Sequence, residues 1–185
     1  PDSSVVFREI KDPNCQYNIA VDVHADTALI EKPISPEARS IASTSSCGIC
    51  GKRDLEDLER DDLPQHIAPS HPLDITLFPG MFARMSEAQS EFKSSGGSHA
   101  AAAFTIDGAL RAAHEDIGRH NAVDKVIGAL LQEGNLSDAQ CLTVSGRASY
   151  EILVKSCRAS IPILAAISAP SSLVVELAQE WGMTL

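Results

Sequence analysis

The sequence predicts an α/β fold in which helices cover both faces of a sheet. Three observations carry that reading. After residue 78, apolar residues recur at three- and four-residue steps in four separate stretches, the spacing of buried helix faces. Between these stretches lie runs too short for helices. One of them, Pro162–Ile167 (PILAAI), is apolar throughout, as befits a parallel strand buried on both faces. The order is helix, hairpin, then repeated helix–strand units, which calls for a layered sheet with its sites at the carboxyl ends of the strands.

Taken in order, residues 3–10 (SSVVFREI) and 17–23 (YNIAVDV) read as two strands joined by a turn at Lys11-Asp12-Pro13-Asn14. From Lys32 to Arg53 the chain is rich in Pro, Ser and Gly and reads as a mobile loop. Asp54–Asp62 is acidic and reads as a short solvated helix. Pro79 opens a helix where its missing N–H costs nothing, and Met81, Met85, Ala88 and Phe92 give it one buried stripe. Ser94-Ser95-Gly96-Gly97 stops that helix. His99–Ile106 and Leu110–Glu115 form a hairpin around Asp107-Gly108. A helix over residues 120–132 places Val123, Val126, Ile127, Leu130 and Leu131 on one face, with Gly134 beyond its end. Then come a strand at Gln140–Val144, a helix at Ala148–Arg158 and the strand Pro162–Ile167. A helix at Pro170–Trp181 packs Leu173, Val174, Leu177 and Trp181, and Met183-Thr184-Leu185 starts one more strand. Residues 1–70 thus form an N-terminal hairpin and loop, and residues 71–185 an α/β domain.

Composition narrows the function. The 185 residues are 44% apolar and 22% charged, ordinary for a globular chain with a real core. A net charge of −10 disfavours a general nucleic-acid or membrane-surface role but leaves room for a local basic pocket. No apolar run of membrane-spanning length and no leader segment stand out. The cysteines Cys15, Cys47, Cys50, Cys141 and Cys157 are odd in number and irregularly spaced, which fits a reducing cytoplasm better than a disulfide framework. The chain starts at Pro1 rather than Met and stops as a strand begins, which reads as a piece of a longer protein.

Chemistry concentrates in four places. Cys47 and Cys50, in Thr44-Ser45-Ser46-Cys47-Gly48-Ile49-Cys50-Gly51-Lys52, sit three positions apart with glycines that leave both sulfurs uncrowded. Lys52 and Arg53 follow at once, and cations favour the thiolate, which is both nucleophile and metal ligand. This spacing alone leaves redox exchange, metal binding and sulfur transfer open. The other three places are polar clusters at element ends: Gly96-Gly97-Ser98-His99, the run from His114 to Asn121, and Ser145-Gly146-Arg147. Junctions with small residues and a cation suit anions, because free N–H groups and the helix dipole face the ligand, and Arg119 and Arg147 add forked donors for phosphate. Asp116 and His120 read as an orienting pair or as holders of a sugar or base. The plainer reading makes Asp116 and Asn121 helix caps and His120 a surface histidine. Three clusters at one end of one sheet favour a phosphate-bearing ligand.

Zinc is weakly supported. One Cys-x-x-Cys supplies two ligands of a tetrahedral site. His99 is followed by Ala100 and Ala101, so the His-x-Glu of the zinc deaminases is absent, and the cysteine pair lies upstream of it. His114-Glu115 does not continue to His-Glu-x-x-His, since position 118 is Gly. Thioredoxin-type chemistry is weaker still, because its pair opens a helix directly after a strand. Cys141 and Cys157 fall on apolar stripes and read as inert core thiols.

At these residues the sequence resembles the formate dehydrogenase accessory sulfurtransferases, the FdhD family. The matching motifs are Ser46-Cys47-Gly48-Ile49-Cys50-Gly51, Gly96-Gly97-x-His99-Ala100-Ala101, the block from Glu115 to Lys125, Ser145–Glu151 and Ile161–Pro170. The resemblance implies a cytidine deaminase-like three-layer α/β/α fold with a mixed sheet, truncated here at both ends. It implies a cytoplasmic homodimer that takes persulfide sulfur from a cysteine desulfurase. The acceptor would be the molybdenum or tungsten bis-molybdopterin guanine dinucleotide cofactor, bound for the formate dehydrogenase catalytic subunit. Cys47 would then carry the persulfide, with Cys50 as its partner. Gly97, His99, Asp116, Gly118, Arg119, His120, Asn121, Ser145, Gly146 and Arg147 would hold the cofactor, and no metal would bind the protein directly. The alternative is a zinc-stabilised or guanine-nucleotide-binding module without sulfur transfer.

Overall fold

Strands β1 (Ser4–Glu9) and β2 (Ile19–His24) pair antiparallel over their full length, with Val5 opposite Val23 and Phe7 opposite Val21. The expected strands are present and paired, with the second running on to His24, and the turn expected at Lys11–Asn14 lies outside the described residues. The structure, a computed structural model, describes residues 4–9, 19–24, 67–69 and 71–185. The chain forms two compact units, Pro1–Ala42 and Ser43–Leu185. The cysteine loop and the acidic run at Asp54–Asp62 lie outside the described residues.

The second unit is built on a four-stranded sheet. Its strands are β3 (His99–Phe104), β4 (Leu110–Asp116), β5 (Cys141–Arg147) and β6 (Ile163–Ser168), in the order β4-β3-β5-β6. β3 runs antiparallel to both of its neighbours, whereas β5 and β6 are parallel, so the sheet is mixed. Period-two alternation divides its core. Ala101, Ala103, Leu142, Val144 and Leu164 face helices α3 (Arg119–Glu133), α4 (Tyr150–Arg158) and α5 (Ser172–Glu180). Ala100, Ala102, Phe104, Cys141 and Ile163 face α1 (Phe78–Glu87), which contributes Met81 and Met85. The alanine run in β3 explains how one strand serves both layers, since its small side chains leave room for methionine on one side and for Val123, Val126 and Leu130 on the other. Thr143, polar among these, spends its hydroxyl on Ala102 O at 3.3 Å and Met85 Sδ at 3.4 Å.

Several boundaries differ from the sequence reading, each for a physical reason. The helix expected to run from Pro79 to Phe92 breaks at Gln89, and a separate α2 (Ser90–Ser95) follows. Met81 and Met85 are buried, but Ala88 and Phe92 are exposed. The break is held by Glu115, whose carboxylate accepts the N–H groups of Glu91 (2.8 Å) and Phe92 (3.0 Å) and so gives α2 its own start. In α3, Val123, Val126 and Leu130 are buried, whereas Leu131, one 100° step further round, is 61% exposed. Strand β5 continues past Val144 to Arg147, with an irregularity that sets Val144 opposite Ala166 and Arg147 opposite Ser168. Ser145 and Gly146 therefore form a bulge in the strand and are not part of a loop. Thr184 makes an isolated parallel bridge to Ile163, where the sequence reading placed the start of a strand.

The phase of α3 is testable by truncation. Leu130→Ala should cost about 2–5 kcal/mol in urea unfolding, as cavity-forming substitutions do, and Leu131→Ala within about 0.5 kcal/mol of zero. Equal costs at the two positions would contradict this packing.

Candidate functional site

Because β3 opposes both neighbours, its first residues meet the carboxyl ends of β4 and β5. His99 lies opposite Asp116. The Ala100 N–H donates to Ser145 Oγ at 2.9 Å, tying the amino end of β3 to the bulge in β5. Gly146 is buried, and a Cβ built on it would lie 3.3 Å from Arg119 Cδ and 3.5 Å from His99 Nδ1. The side chains of Arg119 and His99 thus lie against bare backbone, and a Cβ at 146 would press on Arg119 while meeting His99 at ordinary contact distance. Sequence-distant clusters centred on His99, Arg119 and Gly146 meet at one point.

Asp116 holds the turn that delivers Arg119. Its Oδ1 accepts the Gly118 N–H at 2.9 Å and Asn121 Nδ2 at 3.1 Å, while Oδ2 faces Lys125 Nζ at 2.6 Å. Lys125 also donates to Glu115 O at 3.0 Å. The Lys125 contact, then the Gly118 amide, hold the Asp116 carboxyl down at about 2 against some opposition from burial. Gly118 is itself the N-cap of α3, and Asn121 Nδ2 would sit 3.1 Å from any Cβ placed there. Asp116 therefore caps the turn before the helix, not the helix itself.

The expected Asp116–His120 pair does not form. His120 Nε2 lies 3.1 Å from Ser149 Oγ, and its Nδ1 lies 3.2 Å from Glu151 Oε2. Burial pushes the His120 pKa below its ordinary value, Glu151 pulls the other way, and Arg119 adds to the depression. Lys155 completes this second network, bonded to both Asp124 oxygens (2.7 and 2.9 Å) and 3.5 Å from Glu151. Gly97 and Arg147 are exposed at the edges of the site. The Gly97 N–H donates to Ser95 Oγ at 3.1 Å, and Arg147 ends β5 opposite Ser168.

Glu115, Lys125, Ser149 and Glu151 organise the site, yet the sequence reading did not assign them roles. Ser98 donates to Glu115 at 2.7 Å, so the cap of α2 and the start of β3 share one carboxylate. Burial would raise the Glu115 pKa, but the Ser98 hydroxyl and the Glu91 and Phe92 amides outweigh it and lower it. No local spacing signals these contacts, since each joins residues from different elements. Cys141 and Cys157 are buried as expected, and burial pushes the Cys141 thiol up to about 12. A thiol so raised stays protonated near neutral pH and is a poor nucleophile. Cys47 and Cys50 lie outside the described residues. Among the described residues, no group of three or more His, Cys, Asp or Glu side chains could hold a metal ion, and no helix is long and apolar enough to cross a membrane. A cavity of about 450 Å³ lies between β6, α5 and the chain's end, with Ala148, Leu164, Ala166, Ser168, Val175 and Met183 among its walls.

This geometry, an α/β sheet with polar motifs gathered at one end, has known relatives. The family model described as the FdhD/NarQ family matches residues 7–185. The sulfur carrier protein FdhD of Streptomyces coelicolor is 46% identical over 172 residues, covering 91% of this chain and 60% of its own. That of Nocardia farcinica is 45% identical over 160 residues (84% of this chain, 56% of its own). That of Thermoplasma acidophilum is 44% identical over 161 residues (86% and 56%). Among solved structures, a formate dehydrogenase accessory protein from Desulfotalea psychrophila matches with a TM-score of 0.59 and 28% identity, over 70% of this chain and 54% of that one. The chain belongs to the FdhD/NarQ family. It spans 56–60% of the length of these three curated relatives.

The Asp116 contacts carry a pH signature. The folded value of about 2 lies below the ordinary 3.8, so the stabilisation is fully present only well above pH 3.8 and is lost as pH falls through 3.8 towards 2. With solvent screening at Lys125, which is half exposed, the contribution is on the order of 1 kcal/mol. Asp116→Asn should flatten stability between pH 4 and 2 in acid titrations of urea unfolding. An unchanged acid limb would contradict the assignment.

Proposed function

We propose that this chain is part of a sulfurtransferase that carries persulfide sulfur from a cysteine desulfurase to the molybdenum or tungsten bis-molybdopterin guanine dinucleotide cofactor. The recipient is the formate dehydrogenase catalytic subunit. The carrying observation is the meeting of His99, Asp116, Arg119, Ser145 and Gly146 at one end of the sheet, an anion-suited surface in a member of this family. In this reading Cys47 bears the persulfide and Cys50 is its partner, on a loop within residues 1–70 ahead of the α/β domain at 71–185. The cofactor is substrate and cargo, and no metal is bound directly by the protein. Gly97, His99, Asp116, Gly118, Arg119, His120, Asn121, Ser145, Gly146 and Arg147 hold its nucleotide end, with Arg119 and Arg147 on phosphate. The cavity beside Ser168 suits the flat face of the base. The fold class is cytidine deaminase-like with three α/β/α layers, and the protein works as a cytoplasmic homodimer away from nucleic acid and membrane.

Chemically, a persulfide on Cys47 is a better nucleophile near neutral pH than a thiol, whose thiolate fraction is small. Lys52 and Arg53 stabilise the anion. A loop lets the sulfur travel between donor enzyme and cofactor, which a packed element would hinder.

Intact mass after incubation with a cysteine desulfurase and cysteine tests this. The chain should gain one sulfur, and Cys47→Ala should gain none. Equal loading without Cys47 refutes the carrier role. If nothing loads while guanosine diphosphate still binds a Cys47/Cys50 double variant, the chain is a nucleotide-binding module instead.

A further inference from the structure

Ser149 stands at the N-cap of α4 with extended backbone (φ −106°, ψ 162°), yet its side chain makes no capping hydrogen bond. A serine in that position ordinarily accepts an N–H from the first turn. Here the hydroxyl meets His120 Nε2 at 3.1 Å. On the far side of the ring, Nδ1 meets Glu151 Oε2 at 3.2 Å. Hydroxyl, imidazole and carboxylate in that order are nucleophile, base and orienting acid, a constellation recognised by geometry and found on unrelated folds. The carboxylate favours the tautomer with the proton on Nδ1, which turns a lone pair on Nε2 towards Ser149. Around the ring, burial, Arg119 and Lys155 favour the neutral base, whereas Glu151 and Asp124 favour the cation, and the balance falls to the neutral form. The helix begins immediately after Ser149, so the positive end of its dipole lies beside the nucleophile.

We propose that Ser149, His120 and Glu151 form a nucleophilic triad that gives this chain an acyl-transfer activity towards activated esters, a second use of His120 beside its place in the cofactor site. In the first step Ser149 Oγ bonds to the acyl carbon as its proton passes to His120 Nε2. The bond to the alkoxy group breaks, and that group leaves with the electron pair and takes the proton from Nε2. Water then repeats the sequence, releasing the acid and restoring the serine hydroxyl.

The test is labelling of the full chain with a fluorophosphonate probe, the adduct being located by peptide mass spectrometry. One adduct is expected, on Ser149. It should be absent in Ser149→Ala and form at least about 100-fold more slowly in His120→Gln. On the wild-type chain the labelling rate should rise with pH through a value below the ordinary histidine pKa and then level off. A rate proportional to hydroxide throughout marks an unactivated hydroxyl and overturns the proposal. So does equal labelling of folded His120→Gln, or no adduct on the wild-type chain. Because the pH profile is read on the wild type, a variant that fails to fold leaves the test intact.

Discussion

The direction of β3 is the constraint on which the site depends. As an inner strand antiparallel to both neighbours, it brings its amino end to the carboxyl ends of β4 and β5. Reversing it within the same sheet would carry His99 the length of the strand, about 17 Å, away from Asp116 and Gly146. The alanines that follow His99 make this position tenable. They let a single strand accept the α1 methionines on one face and the α3 valines on the other without displacing the helices that frame the site.

Charge then fixes what topology assembles. Glu115 and Asp116 are adjacent on β4 and serve different elements, as the period-two pleat directs. Glu115 reaches α2 and starts it, while Asp116 reaches the turn into α3 and ties it to Lys125. Both carboxylates are held ionised by amide and hydroxyl donors, with Lys125 added at Asp116. The loops on either side of His99 are thereby fixed in place while Arg119 is held against the bulge at Gly146. The His120 network is separate, bridging α3 and α4 through Ser149, Glu151, Lys155 and Asp124.

Much of this was legible in the sequence, and the remainder has a physical explanation. The hairpin at Asp107-Gly108, the α3 face of Val123, Val126 and Leu130, and the parallel strand before Ser168 follow from local periodicity and turn chemistry, but only Ile163 and Leu164 of that strand are buried and Ile167 is exposed. The polar clusters meet because of the direction of β3, which the hairpin at Asp107-Gly108 sets against β4 and no local signal sets against β5. The break at Gln89 was not legible, because a carboxylate from a distant strand decides it and the methionine stripe continues past it in sequence. The strand character of Ser145-Gly146 was hidden by residues that usually mark loops, and only the neighbouring β3 amide reveals why they stay in the sheet. The partner of His120 was hidden for the same reason: Asp116 is near in sequence, while Glu151 is near in space.

The central claim is that the three clusters form one site for a phosphate-bearing ligand. Calorimetric titration with guanosine diphosphate tests it most directly, on the wild type and on Arg119→Ala and Arg147→Ala. The account predicts binding that weakens with added salt and falls roughly tenfold or more in each variant, as loss of a charge-assisted hydrogen bond requires. Affinity unchanged in both folded variants would contradict it.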